Sequence, residues 1–120
     1  MSAELLEEIA GKLEMELLWT NASPTSNFAA QNISLDLSGY DEALVYFRVA
    51  TDQYGIISAR GAIGDGAVTS FIWGDTGGYG HRWTDLTTTQ VKFYGASYNK
   101  ASNNKYCIPV AIYGIKGVKK

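Results

Sequence analysis

The sequence predicts an all-β fold, an antiparallel β-sandwich or jelly-roll-like domain preceded by a short N-terminal helix. Three observations carry that prediction. From residue 14 onward apolar and polar residues alternate over short runs, the period of a half-buried strand. Gly, Pro, Asn, Asp and Ser punctuate these runs at regular intervals, as turns between strands do. The composition, 46% hydrophobic with 13 Gly, 8 Tyr and 3 Trp in 120 residues, suits a turn-rich β domain better than a helical bundle. That length is one domain, enough to bury a core without covalent staples.

Residues 3–12 are the one helical stretch. Ser2 is placed to cap it, Glu4, Glu7 and Glu8 suit the positive end of the helix dipole, and Leu6, Ile9 and Leu13 recur at heptad spacing. About ten residues make a marginal helix alone, so something must cover that seam. The seam packs either on its own domain or, since the chain opens in mid-pattern, as the end of a multi-chain coiled coil. The second is the expectation, and it divides the chain into residues 1–13, the end of a shaft, and residues 14–120, the β domain.

At residue 14 the period changes to alternation, with Met15, Leu17 and Trp19 on one face of a first strand. A polar turn with Pro24 follows, then Ile33, Leu35 and Leu37 alternate with Ser34, Asp36 and Ser38. Residues 43–51 form the strongest central strand, in which Arg48 must find an edge, a carboxylate or solvent. Weaker strands follow over 54–63, 68–73, 81–85 and 89–94. Residues 74–80 form a glycine-rich loop, and residues 99–105 are polar enough to be a mobile tip. The closing run, residues 106–116, is apolar at Tyr106, Ile108, Val110 and Ile112 and mostly apolar at the positions between. That is the pattern of a strand covered on both sides, with a wet edge or a bulge where Pro109 cannot donate a ladder hydrogen bond.

A net charge of −2, from 10 basic and 12 acidic side chains, supplies no field to attract a phosphate backbone, so nucleic acid is not an expected partner. Cys107 is the only cysteine, which excludes an intrachain disulfide and a thiolate metal cage and suits inert core filling. No apolar run approaches the ~20 residues of a membrane-spanning helix, and the acidic N-terminus lacks the cationic start of a signal peptide.

An enzymatic mechanism has little to stand on. His81 is the sole imidazole and has no evident nucleophile beside it, and Asp65, Asp75 and Asp85 match no acid-pair or cation motif. No catalytic residue, metal ligand or cofactor is assigned. Aromatic residues near the glycine-rich loops are the better signal: Trp73, Tyr79, His81 and Trp83 flank residues 74–80, and Tyr94 and Tyr98 lie by the later loop. Flat rings with polar edges stack on sugar faces and anchor interfaces at low entropic cost. Trp73, Tyr79, His81, Trp83 and Tyr98 are therefore the candidate ligand-binding residues, although Trp73, as the continuation of its strand, is expected sooner to fill the core, and Tyr79 is expected exposed in the loop.

Two segments resemble a known group. Residues 17–31, LLWTNASPTSNFAAQ, followed by Ile33-Ser34-Leu35-Asp36-Leu37 and Tyr40-Asp41, look like the opening of small C-terminal domains of bacteriophage and prophage tail-fibre, head-fibre and baseplate-type proteins. The ending, Ile108-Pro109-Val110-Ala111-Ile112-Tyr113-Gly114-Ile115-Lys116, is similar to the close of the same domains. The two matches bracket most of residues 17–116, while residues 51–105 match nothing. The resemblance implies a trimeric domain at the distal end of a virion appendage, fed by a shaft in which Leu6, Ile9 and Leu13 hold three chains together. It carries no ligand signature.

The first expectation is a non-enzymatic, homotrimeric tip domain that binds a bacterial surface receptor, a glycan ahead of a protein, with no membrane insertion. Two others remain open. One is a purely structural domain that registers three chains or decorates a capsid; the other is a monomeric carbohydrate-binding module that needs no N-terminal seam.

Overall fold

A computed structural model of the chain describes residues 14–64, 66–73 and 78–117, of Glu14, Phe71 and Trp73 the backbone only. The helix expected over residues 3–12, with Leu6, Ile9 and Leu13, lies outside the described residues, as do Asp65 and Asp75. The described chain is all-β and antiparallel. Its strands are β1 (Glu14–Thr20), β2 (Gln31–Ser34), β3 (Glu42–Ala50), β4 (Gln53–Ala62), β5 (Gly66–Trp73), β6 (Tyr79–Leu86), β7 (Gln90–Phe93), β8 (Ser97–Tyr98), β9 (Ala101–Ser102) and β10 (Tyr106–Lys116).

These strands form two sheets. The first has the order β1-β10-β3-β4. The second is centred on β6, which pairs with β5 along one edge and with β7 and then β8 along the other, β2 and β9 lying outside them. Alternation decides what each sheet buries. Ala43, Val45 and Phe47 of β3 and Leu86, Val91 and Phe93 of the second sheet are buried, while their sequence neighbours face outward. The sheets meet through aromatic contacts: Phe47 lies edge-on to Phe93 at 6.2 Å, and Phe28 does the same at 5.4 Å.

Two local irregularities in the first sheet change what the sequence suggested. Leu18 is an extra residue between Leu17, opposite Tyr113, and Trp19, opposite Ile112. Because side chains alternate with a period of two, this bulge turns Trp19 away from the Met15 and Leu17 face and into the core. There it packs on Phe28 and Phe93 at 6.3 and 6.1 Å. The single face expected for Met15, Leu17 and Trp19 is thereby corrected. In β10 the register shifts between Pro109 and Ala111, so Pro109 sits beside the bulge that its missing N–H requires. Beyond the end of β1 the flank of β10 is closed by Asn21, whose backbone N–H donates to the Val110 carbonyl and whose side chain donates to the Pro109 carbonyl at 2.9 Å.

The 99–105 stretch, expected as a mobile tip, begins as the turn of a short hairpin. Asn99 and Lys100 both have positive φ, 51° and 68°, and link β8 to β9 as a two-residue hairpin turn. Arg48 meets its need locally, donating to the Ala50 carbonyl at 2.8 Å and lying 5.0 Å from the Tyr54 ring centroid.

Candidate functional site

Strand β6 places Tyr79, His81, Trp83 and Asp85 on one face and Gly80, Arg82, Thr84 and Leu86 on the other. The second set is buried; the first looks away from the core. Tyr79, His81 and Trp83 therefore lie together on the outward face of the strand that follows residues 74–78. Tyr79 opens β6, partly buried, and that corrects the exposed loop position expected for it. Trp73 pairs with Tyr79 across β5 and β6, which puts its backbone in line with this face; its side chain lies outside the described residues.

Cross-strand neighbours complete the face. Asp85 stands opposite Lys92, and Lys92 opposite Asn32; Thr69 stands opposite Trp83 on the β5 side. Tyr94 follows β7 and donates its backbone N–H to the Trp83 carbonyl, which sets the phenol beside the indole. At the centre is one carboxylate with two aromatic donors. Trp83 Nε1 donates to Asp85 Oδ1 at 2.9 Å, and the Tyr94 hydroxyl donates to Asp85 Oδ2 at 2.7 Å. Lys92 Nζ lies 4.7 Å from the centroid of the Tyr94 ring.

Trp83 is 48% exposed although its N–H is engaged. The polar edge of the indole is thus satisfied within the chain, and its apolar surface is left to water. Asp85 uses both oxygens to hold the two rings, and each oxygen retains a lone pair for a further donor.

Beneath this face Arg82 is fully buried and holds three backbone carbonyls. Its Nε donates to Cys107, Nη1 to Tyr94 and Nη2 to Tyr106, at 2.8, 2.7 and 3.2 Å. Burial pulls its pKa down to about 10, a value at which the guanidinium still carries its charge near neutral pH. Its carbon Cζ lies 5.3 Å from the centroid of Phe28. By gripping Tyr94 and β10 together, Arg82 fixes the backbone from which the Tyr94 phenol reaches Asp85. Burial also pushes the Cys107 thiol up, away from the reactive thiolate, as inert core filling requires.

Tyr98 does not join the face. It pairs with Gly80, on the inward side of β6, and stacks on Tyr106 at 4.2 Å with the ring planes 11° apart. Gly78 and Gly80 make room for it, since a Cβ on Gly78 would fall 2.6 Å from the Tyr98 hydroxyl. Tyr98 therefore stands apart from the face of Tyr79, His81 and Trp83. Asp85, Lys92 and Asn32 lie on that face, although none was among the candidates. Asp85 continues the Tyr79, His81, Trp83 alternation and was legible on that ground; Lys92 and Asn32 reach the face only through strand pairing.

Among the described residues no three His, Cys, Asp or Glu side chains gather as a metal site. Comparison with protein-family models, curated proteins and solved structures found no match to this chain.

Proposed function

We propose that this chain is a non-enzymatic, homotrimeric β-sandwich tip domain of a bacteriophage fibre or baseplate protein, and that it binds a bacterial surface glycan through the outward face of β6. The observation that carries the reading is the half-exposed Trp83 indole, whose N–H is held by Asp85, a carboxylate that the Tyr94 hydroxyl holds in turn. A pyranose ring presents one apolar C–H face and a rim of hydroxyls. The indole supplies the apolar partner, and Asp85, Lys92 and Asn32 supply acceptors and donors at the rim. The rings are restrained before any ligand arrives, so little side-chain entropy is lost on binding. Repetition over three chains of a tip, and over many tips of a virion, would make weak single contacts useful.

The resemblance of residues 17–31 and 108–116 to phage appendage domains supports the setting on the virion exterior, and the rings on β6 support the ligand class. A panel of immobilised bacterial surface polysaccharides, probed with the full chain, tests the reading. Binding that falls about tenfold in Trp83→Ala, with a thermal midpoint within a few degrees of the parent, is the expected result. No binding to any polysaccharide, or full binding by a folded Trp83→Ala, removes the receptor role. The purely structural alternative would then stand, since the other sheet carries the apolar tract that it needs.

A further inference from the structure

The outward face of the four-stranded sheet is apolar along β1 and β10 and carries its polar groups, Glu42, Arg48, Ser58 and Arg60, on β3 and β4. Met15, Leu17, Tyr113, Tyr46, Ile56 and Tyr54 run across it from β1 to β4. Met15, Leu17, Ile56 and Tyr54 are 53%, 51%, 57% and 94% exposed, and between them Tyr46 and Tyr113 pack edge to face at 5.7 Å. Large apolar side chains left exposed together on one face mark a surface for association.

What covers the tract is indicated by four further features. β1 is the outermost strand of its sheet, and an outer strand invites another chain. The bulge at Leu18 interrupts its ladder between Leu17 and Trp19, so β1 offers its side-chain face rather than a continuous row of backbone donors. The cations around the tract are already engaged: Arg60 pairs with Glu42 in the same chain, and Arg48 lies over Tyr54. The Arg60 charge is thus balanced within its own chain, and Arg48 is drawn to the Ala50 carbonyl and the Tyr54 ring at the β4 end of the face, away from Leu17. Finally, the sequence just ahead of β1 carries Leu6, Ile9 and Leu13 at heptad spacing, a seam of the kind that another copy of itself buries. It leads directly to Met15 and Leu17 at the rim of the tract.

We infer that the outward face of β1, β10 and β3, centred on Leu17, is the surface through which copies of this chain associate. The inference deepens the multi-chain part of the function proposed above and rests on it, while the receptor face on the other sheet is not required for it. Sedimentation equilibrium of the full chain at micromolar concentration tests it. The parent should be an oligomer, and Leu17→Lys should weaken association by about tenfold or more while keeping the parent's circular dichroism, since Leu17 is half in water within one chain. Trp83→Ala should keep the parent's mass.

Should Leu17→Lys disturb β1 itself, Leu17→Cys supplies an independent reading. The only native thiol is buried, so mild oxidation of that variant should yield disulfide-linked pairs of chains, whereas Asn32→Cys on the other sheet should yield none. A monomeric parent overturns the inference, whether the tract is bare or covered by residues 1–13 of the same chain. So does an oligomer that survives folded Leu17→Lys and dissociates only when Leu6 and Ile9 become Ser. A stoichiometry other than three with the same dependence on Leu17 refutes the trimer and sustains this surface, and a failed polysaccharide screen leaves it untouched.

Discussion

The two outward faces of this molecule are both built from large side chains, yet their polar groups are arranged to opposite ends. On β6 and β7 a carboxylate takes the N–H of one ring and the hydroxyl of another, and a lysine and an asparagine stand at the margin. On β1, β10 and β3 Tyr46 packs edge to face on Tyr113 beside the exposed Met15 and Leu17, and the nearby cations lie against Glu42 and Tyr54. A ring that must release and rebind a wet ligand needs polar atoms at its edge. A surface that stays covered by protein needs apolar area and no stray charge. The contrast teaches that aromatic content by itself does not say which face of a β domain is for recognition and which is for assembly.

Four substitutions would break or sharpen that contrast, and the first two act on what both faces share. Ile112 is fully buried between the sheets, and Ile112→Asp would bury a carboxylate without a partner. A loss of several kcal/mol, on the order of the whole stability of a small domain, should abolish the cooperative urea transition. Arg82→Ala comes next, leaving the Cys107, Tyr94 and Tyr106 carbonyls without their donor in a dry site. About 3 to 5 kcal/mol should be lost in urea titration, with both faces loosened because Arg82 ties β6 to β10.

The third substitution separates the faces. Asp85→Asn keeps an acceptor for one ring and loses it for the other, so polysaccharide binding should weaken severalfold while unfolding shifts by about 1 kcal/mol or less and oligomer mass is unchanged. Equal loss of binding and of association would join the two faces into one device. The smallest effect is expected at Asp52, which belongs to neither. Its side-chain hydrogen bond with Lys105 lowers its pKa, so its contribution is present above the ordinary carboxylate range and fades as pH falls through the lowered value. The pair is exposed and salt screens it, so Asp52→Asn should leave the urea midpoint unchanged at physiological ionic strength.

Period-two alternation made most strands legible, because a half-buried strand must write its two environments into alternate residues. The strand over residues 43–51 was legible as a nearly continuous apolar run, of which only pairing decided that Val45 and Phe47 face the core, and the face shared by Tyr79, His81, Trp83 and Asp85 was present in the alternation. That pattern was obscured by the glycines ahead of Tyr79, which drew attention to a loop. Trp19 was misassigned because a bulge is one residue of slippage, decided by the partner strand and not by the strand that carries it. That Tyr98 lies apart from the Trp83 face was not legible, because a two-residue strand is too short to show alternation and its direction is set by pairing with Gly80.

What the sequence by itself determined is the all-β class, the alternation of most strands and the supply of rings, since each follows from the local choice between water and burial at successive residues. Only the tertiary structure decided which rings meet a carboxylate, which tryptophan turns inward and which sheet is left with an apolar exterior. Those outcomes depend on register between strands far apart in the chain, where a shift of one residue exchanges the two faces.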